Sequence, residues 1–179
     1  MPALTVPSAV VALLLVLAGA GKVVDPTMTV GALRSLRIPA SRHAVRIGSA
    51  VEIALGGLAF AVGGAGLWWA VAASYLAFGA FVALALRRGT MIGSCGCFGR
   101  EETPPHAIHV VLDLALVAVA ALTAIVSPAA PLDAITEQPG TGIGVLALSA
   151  LALFLLHAAF VELPRTLVPS SRWAGSTAR

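Results

Sequence analysis

The only two cysteines of this 179-residue sequence stand one residue apart, as Cys95-Gly-Cys97, within the glycine-rich stretch Met91 to Arg100. A dithiol in one short loop can cycle with its disulfide, and the central glycine supplies the backbone freedom that so small a ring requires. Cα atoms two residues apart lie roughly 5.5–7 Å from each other, near the upper end of the range for unstrained disulfides. Strained disulfides are the labile, catalytic kind. The stretch therefore indicates thiol–disulfide chemistry, with Cys95 and Cys97 as the catalytic pair.

Charged residues border the two cysteines on both sides. Arg87 and Arg88 precede them and Arg100 follows them. Nearby positive charge lowers the pKa of a thiol and raises the fraction of nucleophilic thiolate. Glu101 and Glu102 act in the opposite direction.

Metal binding is the sharpest competing hypothesis for the same residues. The two soft sulfurs of Cys95 and Cys97 can hold Cu(I), or Zn²⁺ if His106 or His109 completes the ligand shell. A third hypothesis is a non-catalytic assembly subunit whose cysteines are incidental. It predicts that partner capture depends on the segment 27–37 and not on the thiols.

The elements that must position these residues are membrane helices. Charged residues make up 11% of the sequence, against roughly 25% in a typical soluble domain, so this is an integral membrane protein. Apolar runs of about 20 residues cross the hydrocarbon core as helices, and helices satisfy their own backbone groups there. We predict an all-α fold with five spans, at Val6–Val24, Ala44–Val62, Leu67–Leu86, His106–Val126 and Gly142–Val161.

The segments between the spans differ in character. Residues 27–37 mix apolar side chains with arginines and predict a short helix lying in the membrane interface. The cysteine loop occupies 87–105, a polar loop occupies 127–141, and a polar tail follows from 162 to 179. Trp68 and Trp69, at the start of the third span, are interpreted as interface anchors.

The basic residues predict the orientation of the chain. With five spans, every lysine and arginine falls on the side that holds the cysteine loop and the C-terminus, whereas the opposite side carries Asp133 and Glu137. The positive-inside rule then makes the cysteine loop cytoplasmic and the N-terminus external. Because these residues are scattered over helix ends, they indicate membrane orientation and not nucleic-acid binding. The basic residues are Lys22, Arg34, Arg37, Arg42, Arg46, Arg87, Arg88, Arg100, Arg165, Arg172 and Arg179.

Two carboxyl groups lie inside predicted spans at similar depth. Glu52 is roughly 12 Å and Asp113 roughly 10 Å from the cytoplasmic ends of their helices, at 1.5 Å per residue. Ionisable groups within a span are costly and are functional candidates. Below a cysteine pair, these two acids can hold protons for a redox step or ligate a metal.

Other polar residues fall in the same half of the membrane. Lys22 is expected to pair with Glu52 or Asp25, and His109 to reach up to the interface. His157 lies about one turn from the cytoplasmic end of the fifth span. We interpret these residues as supporting polar groups around the site.

Several of these segments resemble the MauE/DoxX group of redox-associated membrane proteins. The similar stretches are Ala18 to Pro26, Glu52 to Gly56, Cys95-Gly-Cys-Phe-Gly99, and the fourth span with its early Asp113. They cover roughly residues 6–126, and the Cys-Gly-Cys-Phe-Gly stretch is the specific part. The resemblance implies a DoxX-like four-helix bundle over 1–126, which leaves 127–161, with the fifth span, as an addition.

The same resemblance implies a function. It suggests a protein of the bacterial inner membrane in which Cys95 and Cys97 exchange disulfides with a thioredoxin-like or client protein. Within the MauE family it implies disulfide formation during maturation of methylamine dehydrogenase. DoxX relatives also suggest a quinone as the membrane acceptor. Lys22 and Glu52 carry over as matched polar positions without an assigned role.

Overall fold

The computed structural model describes residues 4–88, 106–126, 130–137 and 139–167, and these residues form helices and short connections without a strand. Both cysteines lie outside the described residues. The helices are α1 (Thr5–Val24), α2 (Thr27–Ser35), α3 (Arg42–Ala61), α4 (Ala65–Arg87), α5 (Ala107–Val126), α6 (Pro131–Thr136) and α7 (Pro139–Leu167).

Five of these helices are long and apolar enough to cross a membrane. They are α1, α3, α4, α5 and the 142–160 part of α7, so the predicted all-α architecture with five spans is confirmed. Two differences appear after α5. The expected loop at 127–141 contains the short helix α6, and α7 continues to Leu167, into the stretch expected as a polar tail.

The short helix α2 is held at one end of the bundle by backbone and arginine contacts. Asp25, which follows the end of α1, accepts a hydrogen bond from the N–H of Thr27 at 3.0 Å and so starts α2. Beyond its C-terminus, Arg88 donates to the carbonyl oxygen of Leu36 at 2.8 Å. The end of α4 is therefore fastened to the end of α2.

The spans associate mainly as two pairs, α1 with α3 and α4 with α5. Close approach of α1 and α3 requires two glycines. A Cβ at Gly19 would lie 2.8 Å from the Ser49 carbonyl oxygen, and one at Gly56 would lie 2.6 Å from that of Ala12. Since residue 19 meets 49 and residue 12 meets 56, the two helices run antiparallel. Small residues allow this packing in a membrane, where dispersion contacts replace the hydrophobic effect.

A tight turn joins the two pairs at one end only. Gly63 and Gly64 connect α3 to α4 with φ values of 68° and 100°, a region that L side chains rarely adopt. Away from this turn, residues 44–52 of α3 and 77–84 of α4 line a common open space. This space is the cleft described below.

Trp68 is buried in the core of the bundle, so the interpretation of Trp68 as an interface anchor was wrong. Its side chain is 0% exposed and packs among α1, α4 and α5 residues that include Leu15, Val71 and Leu116. Trp69 is 50% exposed, as an anchor would be. Adjacent helix positions point about 100° apart, so a Trp-Trp pair at the start of a span divides between the core and the lipid.

Candidate functional site

The first element of the site is an ion pair between two spans. Lys22 Nζ on α1 lies 2.5 Å from Glu52 Oε2 on α3, and both side chains are largely buried, at 6% and 17% exposure. Lys22 Nζ also sits 4.5 Å from the centre of the Phe78 ring on α4, a cation–π contact. Of the two partners expected for Lys22, the structure selects Glu52.

Asp113 lies beside this pair across a small internal cavity. Asp113 is on α5, is 3% exposed and packs against Gly79 of α4. A Cβ added at Gly79 would lie 3.2 Å from the Cβ of Asp113. Lys22, Asp113 and Tyr75 all border a cavity of about 20 Å³, a size that admits one water molecule. The two intramembrane acids expected at matching depth are therefore brought to either side of one lysine.

Three ionisable side chains form this cluster. It contains two carboxyl groups, Glu52 and Asp113, and the ammonium group of Lys22. The Tyr75 hydroxyl on the same cavity donates to the carbonyl oxygen of Val11 at 2.7 Å.

A cleft opens from the ion pair toward the end of the bundle. Its volume is about 670 Å³, and its walls come from α2, the segment 38–40, α3 and α4. Lys22 and Glu52 lie on its floor, and most of the remaining lining is apolar. Lys22 borders both this cleft and the small cavity with Asp113. The Lys22 side chain therefore lies between the cleft and the small cavity that Asp113 borders.

The histidines take positions that the sequence did not indicate. His109 is 1% exposed, so it does not reach the interface as expected. Its Nε2 lies 3.1 Å from the carbonyl oxygen of Phe160 on α7, and its Nδ1 accepts the backbone N–H of His106 at 3.2 Å. His157 is half-buried on α7, three residues before Phe160. Both ring nitrogens of His109 are therefore engaged in hydrogen bonds.

The remaining predicted residues divide between described and undescribed parts of the chain. Arg87 ends α4 in an exposed position, and Arg88 binds Leu36 as described above. Cys95 and Cys97 lie outside the described residues. Over 4–88, 106–126, 130–137 and 139–167, no three His, Cys, Asp or Glu side chains are grouped so that they could hold a metal ion.

A comparison of the sequence with protein families identifies a match over most of the chain. The family described as methylamine utilisation protein MauE matches residues 1–126, which is 126 of the 179 residues. This chain belongs to the MauE family. No curated protein and no solved structure matches it significantly. The MauE match ends at the last residue of α5, so α6 and α7 lie beyond it. With five apolar spans and this membership, the chain is a multi-pass membrane protein.

The cleft is the feature of this MauE-family chain that sequence reasoning missed. The sequence does contain small residues at helical spacing on the two walls of the cleft. They are Ala44 and Gly48 on α3 and Ala77 and Ala80 on α4. Such residues usually mark close helix packing. Here they line open space, because α3 packs through its other face on α1 and α4 packs on α5.

Proposed function

We propose that this MauE-family protein is a membrane thiol–disulfide redox protein whose reactive pair is Cys95 and Cys97. One observation carries the proposal. α4 ends at Arg87 and α5 begins at Ala107, in the half of the bundle where Lys22 meets Glu52. Both cysteines belong to the sequence between these two helix ends.

The proposed reaction is an exchange followed by reoxidation. A partner's two thiols reduce the Cys95–Cys97 disulfide through a mixed disulfide, so that the partner is oxidised and the pair becomes a dithiol. Reforming the disulfide releases two electrons and two protons, which a membrane quinone accepts to become the quinol. In this proposal Glu52 and Asp113 take up and pass on these protons.

The finer parts of the proposal extend the resemblance to the MauE/DoxX group. The first four spans, α1, α3, α4 and α5, form the DoxX-like bundle, and α7 is an addition to it. The partner is a thioredoxin-like or client protein, and in the MauE setting the pathway is maturation of methylamine dehydrogenase. The protein resides in the bacterial inner membrane with its cysteine segment on the cytoplasmic side, by the positive-inside rule.

The two alternatives draw less support from the described residues. A metal site that includes His109 would have to displace a hydrogen bond from one of its ring nitrogens. An assembly subunit does not require a Lys22–Glu52 ion pair within the bundle, or a buried Asp113 that borders a small cavity together with Lys22. Such groups are costly within a membrane and are retained where they act.

The experiment measures thioredoxin oxidation by the protein and traps the mixed disulfide between the two proteins. Purified protein in proteoliposomes is given reduced thioredoxin and decylubiquinone, and thioredoxin oxidation is followed by alkylation shift. Cys95→Ser and Cys97→Ser should each abolish turnover, and one of them should accumulate a mixed disulfide with thioredoxin. Ser94→Ala, in the same segment, serves as the matched control and should retain wild-type turnover. Full turnover in both cysteine variants would eliminate the proposal.

A further inference from the structure

We infer that the cleft between α3 and α4 is a binding site for a lipophilic molecule whose head is uncharged and bears a carbonyl or hydroxyl oxygen. The head lies against Lys22 and Glu52, and the tail follows the apolar walls toward the mouth. The inference goes beyond the thiol chemistry. It concerns binding alone, and it holds or fails without any cysteine.

The walls define the apolar part of the ligand. A volume of about 670 Å³ falls within the range of about 300–1,000 Å³ that small-molecule sites occupy. Phe78 and Phe81 of α4 face Ala44 and Gly48 of α3 across the cleft, and Leu33 of α2 closes one side. Aromatic and small apolar side chains of this kind accommodate a chain or a flat ring.

The floor defines the head. Lys22 and Glu52 form an ion pair, so the floor has no net charge to balance a buried phosphate or ammonium group. It does present polar atoms, because an ammonium group carries three N–H donors and a carboxylate carries two acceptor oxygens. A ligand carbonyl can accept from Lys22, and a ligand hydroxyl can donate to Glu52. An uncharged oxygen-bearing head therefore complements the floor better than an ionic one.

The position of the cleft defines where its ligand comes from. Glu52 is ten residues into α3 from Arg42, or about 15 Å along the helix axis, so the floor lies at the depth of the hydrocarbon core. Molecules at that depth are lipids. Two kinds share the required chemistry, an isoprenoid quinone with its ring carbonyls and a diacylglycerol with its ester carbonyls and hydroxyl.

Gly48 allows the cleft to be filled without disturbing the helices. A Cβ built on Gly48 meets nothing within 4 Å, although this residue lines the cleft. Gly57, on the same helix, also has open space around its Cβ position but does not line the cleft. Gly48→Leu therefore blocks the cleft, and Gly57→Leu is its matched control. Ala80→Leu fills the cleft from the opposite wall and replaces Gly48→Leu if that variant does not fold.

The test is native mass spectrometry of the delipidated full chain in detergent, titrated separately with decylubiquinone and with dioleoylglycerol. At least one of them should bind one-to-one to the wild type and to Gly57→Leu. Gly48→Leu should bind it at least tenfold more weakly. Lys22→Met/Glu52→Met, which removes the polar floor, should also lose affinity.

The outcomes show which kind of molecule binds in the cleft, and whether the inference is wrong. Binding of decylubiquinone alone identifies a quinone site, binding of dioleoylglycerol alone identifies a glycerolipid site, and binding of both shows that the shared carbonyl chemistry is sufficient. If neither binds, or if Gly48→Leu binds as tightly as Gly57→Leu, the inference is wrong. Repeating the titration with Cys95→Ser/Cys97→Ser should leave the affinity unchanged, so this result is independent of the thiol proposal.

Discussion

The imidazole of His109 on α5 lies 3.1 Å from the carbonyl oxygen of Phe160 on α7, an oxygen that the helix itself leaves without its usual donor. In an α-helix that carbonyl would accept from the N–H of residue 164, and residue 164 is a proline, which has none. Because Nδ1 of His109 accepts the N–H of His106, the proton resides on Nε2 and is donated to Phe160. This contact joins the family-matched region to the fifth span.

Removing His109 should loosen α7. His109→Leu removes the hydrogen bond from His109 to the Phe160 carbonyl, at a cost of about 0.5–1.5 kcal/mol in the free energy of unfolding. Pro164→Ala supplies the missing helical N–H, so His109→Leu should cost less in the Pro164→Ala background than alone. Unfolding in sodium dodecyl sulfate, as a double-mutant cycle, measures this difference. Equal costs in both backgrounds would show that the two residues do not serve the same carbonyl.

Breaking the ion pair from one side should cost more than removing it whole. Lys22→Met leaves the Glu52 carboxylate buried without its partner, which typically destabilises by about 3–5 kcal/mol. Replacing both, as Lys22→Met/Glu52→Met, removes the uncompensated charge and should restore most of that loss. The same unfolding assay compares the single and double variants. The charge explanation fails if the double variant is as unstable as the sum of the singles.

Two adjacent glycines of α3 should respond oppositely to alanine. At Gly56 a Cβ would lie 2.6 Å from the Ala12 carbonyl oxygen, so Gly56→Ala must push α1 and α3 apart, at about 1–3 kcal/mol. At Gly57 the same methyl group meets nothing within 4 Å, and alanine is the better helix former. Gly57→Ala should therefore be neutral or slightly stabilising. Thermal unfolding in detergent distinguishes them, and equal midpoints would contradict the close approach.

The orientation can be tested on the cysteines themselves. If the positive-inside rule holds, a membrane-impermeant maleimide should label Cys95 and Cys97 in inverted vesicles and not in right-side-out vesicles. Labelling should rise after reduction if the pair is isolated as a disulfide. A cysteine introduced at exposed Thr136, between α5 and α7, should show the opposite sidedness in a Cys95→Ser/Cys97→Ser background. Labelling of the native cysteines from outside only would reverse the orientation.

The sequence predicted what depends on local composition. Apolar runs and their polar breaks placed the five spans within a few residues, and Asp25-Pro26 correctly marked the change from α1 to α2. The pairing of Lys22 with Glu52 was also among the expected alternatives, because a buried lysine needs a carboxylate at reach.

What could not be predicted depends on how the helices are turned against each other. His109 and Trp68 each have a polar nitrogen on a larger ring, and both were expected at the interface for that reason. In the structure their helix faces point inward, toward α7 for His109 and toward α1 for Trp68. Likewise, small residues such as Gly48 and Gly56 look alike in sequence, although one lines a cleft and the other touches a neighbouring backbone.

The glycine turn between α3 and α4 allows a small change of angle to alter the width of the cleft. α4 has 23 residues and is therefore about 34 Å long. Pivoting it by one degree about Gly63 and Gly64 would displace its far end by about 0.6 Å, by simple geometry on that length. The width of the cleft near Leu84 therefore depends strongly on the angle between α3 and α4. A molecule bound in the cleft would fix that width.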